Sequence, residues 1–144
     1  MELKVENLKV GDRFCTGDEI EVSAEAIMAF GREFDPLPMH VGEESARATP
    51  FGSLSASGWH TAAITHRLAV DMGLTRMIGV EINLSWPTPT RPGDRLHLDL
   101  VVTGLRQSRS NPERWIVNFE YDTINQEGEI RQHTKATVMA WTGI

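Results

Sequence analysis

Cysteine is nearly absent from this 144-residue chain. The one thiol, Cys15, cannot close an internal disulfide, and no metal-type Cys or His spacing accompanies it, so nothing points to an oxidising compartment. Long apolar runs are missing too. None approaches the ~20 residues that span a bilayer. The opening Met1-Glu2-Leu3-Lys4-Val5-Glu6 has neither the basic start nor the continuous apolar stretch of a secretory leader. A cytoplasmic protein is the expectation, with no membrane partner. Positive charge is in short supply: 14 Lys and Arg face 20 Asp and Glu, a formal net charge of −6. Nucleic-acid binding needs a basic face, so it is not expected. A phosphorylated ligand needs only a few local cations, and Arg91, Arg95, Arg106 and Arg109 all lie in the second half. There is no Gly-x-Ser-x-Gly elbow, phosphate loop or dinucleotide fingerprint. His66, His97 and His133 are scattered, with no i, i+4 metal pair; they read as structural or solvated, and no metal is expected.

What is present suits one domain over residues 1–144, large enough for a hydrophobic core without disulfides or metal. The first half reads as helical. Ser23 is a plausible N-cap, Glu25 complements the helix dipole, and Ile27, Phe30 and Phe34 follow at helical spacing. Asp35-Pro36 ends that run. A short helix is expected from Glu43 to Ala48, then a long one from Leu54 through Met72. Its apolar residues, Trp59, Ala62, Ala63, Ile64, Leu68 and Val70, spread widely round the axis, as in a buried helix. Gly58 inside it would cost ~1 kcal/mol relative to Ala, which implies a packing or ligand-approach reason. The second half alternates with period two: Ile82, Leu84 and Trp86; Leu96, Leu98, Leu100 and Val102; Trp115, Val117, Phe119 and Tyr121; then a Thr- and Val-rich run from Ile130 to Trp141. Turn signals separate these runs, including Arg91-Pro92-Gly93-Asp94 and Glu127-Gly128. An α+β architecture follows, four or five antiparallel strands curled around one long helix.

The stretch richest in chemistry is Phe34-Asp35-Pro36-Leu37-Pro38-Met39-His40. It places a carboxylate and an imidazole at the ends of a connector stiffened by two prolines, which excludes a regular helix there. Such a segment suits general acid–base work at a fixed site. It equally suits an Asp-Pro turn followed by a histidine that only caps or packs.

That run, followed by Ala46-Arg47-Ala48-Thr49-Pro50-Phe51-Gly52-Ser53-Leu54-Ser55-Ala56-Ser57-Gly58-Trp59-His60-Thr61, closely resembles the MaoC-like dehydratases, the (R)-specific enoyl-CoA hydratase group. Ser85-Trp86-Pro87 and Thr90-Arg91-Pro92-Gly93-Asp94 are similar to the same family, and the likeness runs from Gly11-Asp12-Arg13-Phe14 to the last strand. The resemblance implies a single hotdog domain, an antiparallel sheet wrapped around a long central helix. It also implies pairing through edge strands into a homodimer or dimer of dimers, with sites near the interface. The implied reaction adds water to, or removes it from, an acyl-CoA thioester; coenzyme A is then part of the substrate and no separate cofactor is needed.

Asp35, Pro38 and His40 fill the family's Asp, Pro and His positions, while Leu37 stands where Asn or Gln is usual and has nothing to donate. By the same resemblance Asp35 and His40 hold the catalytic water, with Asp35 the main base and His40 orienting the water and assisting proton transfer. The backbone N–H of Gly52, expected at the start of the long helix, is the implied donor to the thioester oxygen. Leu37, Ser57 and His60 are candidates to line the pocket, although Ser57 and His60 equally suit a crowded helix start. Trp86 is expected to pack in the sheet rather than stack on adenine. A hotdog thioesterase, with Asp35 activating water toward the carbonyl, and a non-catalytic acyl-thioester-binding subunit are the two alternatives.

Overall fold

The computed structural model describes residues 2–143. Six strands form an antiparallel sheet around one long helix: β1 (Arg13–Cys15), β2 (Ile20–Glu21), β3 (Met77–Ser85), β4 (Arg95–Gln107), β5 (Arg114–Ile124) and β6 (Ile130–Trp141). Their order is β1-β4-β5-β6-β3, with β2 also pairing β4. The helices are α1 (Ala24–Phe34), α2 (Pro38–Val41), α3 (Glu43–Arg47) and the central α4 (Gly58–Met72). This is the α+β hotdog arrangement that the alternation and the resemblance implied. None of the described helices is long and apolar enough to cross a membrane.

The alternation of β4 and β5 decides the inner face. Leu96, Leu98, Leu100 and Val102 are buried, as are Val117 and Phe119 across the ladder, while Arg95 and Asp99 point outward. Each large aliphatic or Phe side chain withdrawn in this way contributes about 1.5–3 kcal/mol. The helix answers with Ile64, Leu68 and Ala69, which join Leu96 and Leu98 in one cluster. Its buried stripe also carries two threonines. Thr65 pairs its hydroxyl with Thr123 at 2.6 Å and Thr61 pairs with Thr90 at 2.8 Å, so both buried hydroxyls are satisfied. Trp59, by contrast, lies on the exposed side.

Three expectations need correction. The long helix starts at Gly58 and not at Leu54. Residues 54–57 are buried and run without helical structure between α2 and the segment before β4, where the N–H of Ser55 donates to the Met39 carbonyl (3.0 Å) and that of Ala56 to the Thr90 carbonyl (2.9 Å). These tertiary bonds replace the helical ones. The proline-stiffened connector does contain a helical turn, α2, because Pro38 occupies a first-turn position where its missing N–H has no helical partner to lose. Finally, Ile82 and Trp86, expected on a buried face by alternation, are 47% and 41% exposed at the sheet edge. A register shift between Gly79 and Glu81 turns Ile78, paired with Met139, to the opposite face from Ile82, paired with Ala136. The helix expected from Ser23 is present as α1, with the Ser23 hydroxyl accepting the N–H of Ala26 at 3.1 Å.

Two close approaches join the helices. α2 lies on α1 at Gly31, where an added Cβ would stand 2.3 Å from the backbone oxygen of His40. α1 meets α4 through Phe30 and His60, whose rings stack at 4.8 Å with an interplanar angle of 5°. Burial of His60 disfavours its charged form and lowers its pKa from the ordinary 6.5.

Both approaches have measurable consequences. Gly31→Ala forces α2 off α1 and is expected to lower stability by about 1–3 kcal/mol in urea unfolding. His60 binds its proton less readily folded than unfolded, so its contribution to stability is present above about pH 6.5 and is lost as pH falls below it. Relative to His60→Phe, which cannot titrate, the wild type should lose stability more steeply on acidification through that range.

Candidate active site

Asp35 closes α1 as its C-cap, its N–H donating to the Gly31 carbonyl at 2.9 Å. Five residues later, α2 turns His40 inward, where it is only 7% exposed. The Nδ1 of His40 lies 2.7 Å from the Ser55 carbonyl. A carbonyl oxygen can only accept, so Nδ1 carries the proton and donates it. In the neutral ring the lone pair is therefore on Nε2, and that atom stands 3.5 Å from Oδ2 of Asp35. Two acceptors face each other, an arrangement that suits a proton-bearing molecule placed between them.

Ser57 completes the group. It is fully buried, its hydroxyl donates to Oδ2 of Asp35 at 2.7 Å, and it accepts the N–H of Trp59 at 3.2 Å as the N-cap of α4. One hydroxyl thus aligns the carboxylate and starts the helix. Two other N–H groups of the first turn, from His60 and Thr61, reach the Ser57 carbonyl. Among the described residues the N–H of Gly58 has no hydrogen-bond partner. A free N–H at the start of a 15-residue helix sits at the positive end of the helix dipole.

Gly52 is not at that helix start. It lies six residues upstream in an exposed turn, at φ 70°, and its N–H donates to the Thr49 carbonyl at 3.0 Å. The helix-start position expected of Gly52 is held by Gly58. The glycine is required there for packing: an added Cβ would meet the Trp86 ring at 2.7–2.8 Å. Trp86 is anchored by its Nε1, which donates to Gln132 at 2.9 Å, and meets Trp59 edge-on at 5.6 Å.

A cavity of about 240 Å³ opens beside these groups, lined by His40 and Gly58 with Leu37, Phe51, Trp86 and Thr61 among its walls. His60 does not join the Asp35 group; its ring stacks on Phe30, and its buried Nδ1 has no partner among the described residues. His133 pairs with Asp122 at 2.5 Å in a largely exposed contact far along the sheet.

Arg91 is a site residue that its sequence context disguised. Its guanidinium donates to the carbonyls of Phe51 (2.9 Å), Ser53 (3.0 Å) and Leu54 (3.4 Å) and to the Ser53 hydroxyl (2.8 Å). It clamps the segment that brings Ser55 to His40, so it is not a free cation for a phosphate. Arg95 is likewise engaged, with Glu19 at 3.1 Å. The visible signal was the Arg91-Pro92-Gly93-Asp94 turn, in which Asp94 accepts the N–H of Arg91 at 2.9 Å. That turn announces its own geometry but not the reach of the arginine.

Comparison with known proteins agrees with this arrangement. Residues 6–122 match the model of the family described as MaoC like domain. The chain is 33% identical over 129 residues to the uncharacterized protein YdeM of Bacillus subtilis (strain 168), covering 87% of this chain and 89% of YdeM. It is 50% identical to the MaoC-like dehydratase of Rhodospirillum rubrum, whose crystal structure superposes with a TM-score of 0.92 over 99% of both chains. The fold, at 21% identity, is also similar to that of the R-hydratase PhaJ1 from Pseudomonas aeruginosa, with a TM-score of 0.78 over 99% of this chain and 88% of that one. With its acid–imidazole pair seated between α1 and the capped start of α4, this chain belongs to the MaoC-like domain family.

Proposed function

We propose that the protein is a hydro-lyase of the (R)-specific enoyl-CoA hydratase or 3-hydroxyacyl-CoA dehydratase type. The observation that carries this reading is the pair of facing acceptors, Oδ2 of Asp35 and Nε2 of His40, 3.5 Å apart. A water donating one hydrogen toward each is held with its oxygen lone pairs free to attack. Asp35 takes one proton of the water as the hydroxyl adds to C3 of a 2-enoyl thioester and passes that proton on to C2, while His40 orients the water and assists the transfer. Proton handling of this kind contributes roughly 10²–10⁴-fold. The charge that develops on the thioester oxygen is met by the free N–H of Gly58, and one such donor contributes about 10²–10³-fold. Coenzyme A enters as part of the substrate.

Leu37 does not remove any of these parts. It lies at the exposed edge of the cavity, and the alignment of Asp35 comes from Ser57 on the other side. The reading extends to a homodimer. β3 is a nine-residue edge strand whose Ile78, Val80 and Ile82 are 51%, 64% and 47% exposed. A long apolar edge invites strand pairing, and a second copy offers a matching one.

Three outcomes test these statements. Purified enzyme incubated with crotonyl-CoA should consume the conjugated-thioester absorbance without releasing free thiol and yield the 3R alcohol; thiol release instead identifies a thioesterase. Asp35→Asn should lower kcat by 10²–10⁴-fold, while Ser57→Ala should lower kcat more than it raises KM and weaken α4 by about 1 kcal/mol through its lost cap. Light scattering should give about twice 16.1 kDa for the wild type and a monomer for Val80→Lys.

A further inference from the structure

The cavity changes character with depth. Its mouth is apolar and exposed at Leu37, Phe51 and Trp86, whereas its buried lining joins His40 and Ala56 to a polar floor of Thr61, Thr90 and Arg131. Thr61 lies one turn of α4 beyond Gly58, so the floor is on the inner side of the proposed thioester position. Coenzyme A is far too large for about 240 Å³ and must lie outside the mouth. The acyl tail consequently points at the floor.

That floor is fully committed. Arg131 donates from Nε and Nη2 to the two oxygens of Asp94, at 2.9 and 3.3 Å, and from Nη1 to the Thr88 hydroxyl at 3.0 Å. Asp94 also accepts from the N–H of Arg91 (2.9 Å) and from Asn125 (3.1 Å). The hydroxyls of Thr61 and Thr90 bond to each other at 2.8 Å. A growing alkyl chain that reaches this floor finds no loose group to displace, because breaking a buried ion pair is strongly unfavourable. Volume sets the same limit. A cavity of ~150 Å³ holds a six-carbon ring, and here the same space must also take the thioester carbonyl.

Resting on the hydratase reading, we propose that the Arg131–Asp94 pair, with the Thr61–Thr90 hydroxyls, is the length stop of the acyl site. The substrate then carries a short acyl chain of roughly four to six carbons. The test is calorimetric binding of saturated acyl-CoAs of four, six, eight, ten and twelve carbons to the wild type. Affinity should stop rising by six carbons. A steady gain of about fourfold per methylene through twelve carbons overturns the length stop and leaves the hydratase reading intact. No binding by any member overturns both. Replacing the pair by Arg131→Met with Asp94→Asn, in protein shown folded by circular dichroism, should raise octanoyl-CoA affinity at least tenfold relative to butanoyl-CoA. An unchanged ratio in the folded variant counts against the proposal; if the variant does not fold, the wild-type series decides.

Discussion

The site depends first on how the ring of His40 is held. Its Nδ1 proton is donated to a backbone carbonyl in the buried segment before α4, and this single bond decides both the tautomer and the direction of Nε2. Without it the ring could present a donor to Asp35, and the facing acceptors would become an ordinary hydrogen bond. The bond in turn requires residues 54–57 to pass close to α2, which the Ser55–Met39 backbone bond and the Arg91 clamp ensure. The chemistry is thus set by main-chain groups as much as by titrating side chains.

Around that bond the fold divides its tasks. The sheet and the inner face of α4 supply burial, with apolar rows on β4 and β5 closing over Ile64 and Leu68. Several polar groups buried alongside are paired threonine to threonine or arginine to aspartate, while the buried Ser55 hydroxyl and His60 Nδ1 have no partner among the described residues. The start of α4 is the meeting point. Its cap fixes a carboxylate, its dipole favours negative charge, its first N–H has no helical partner, and its glycine lets Trp86 pack where a side chain would otherwise stand.

Much of this was legible in the residues. Alternation in β4 and β5 identifies the inner face because one side of each strand is much more buried than the other. Ser23 marks α1 because a cap acts locally. Asp35 and His40 stand out because two prolines isolate them. What could not be read depends on tertiary partners. Small residues at 55–58 suit a helix start anywhere in the segment, and only the bonds to Met39 and Thr90 decide that it begins at Gly58. The assignment of the free N–H to Gly52 followed from that misplaced start. The exposure of Ile78, Val80 and Ile82 reflects the place of β3 at the end of the sheet order. The register shift between Gly79 and Glu81 that turns Ile78 and Ile82 to opposite faces leaves no mark in the alternation.

Gly31 touches no reacting atom, yet the backbone of His40 rests where its side chain would be. Positions under such pressure tolerate change differently from those that handle protons. A descendant that gave up chemistry while keeping this fold would be free to drift at Asp35 or His40 and would still be held to glycine at 31. The presence of that glycine in a relative therefore reports the packing of the first two helices and carries no information on whether the relative turns over a substrate.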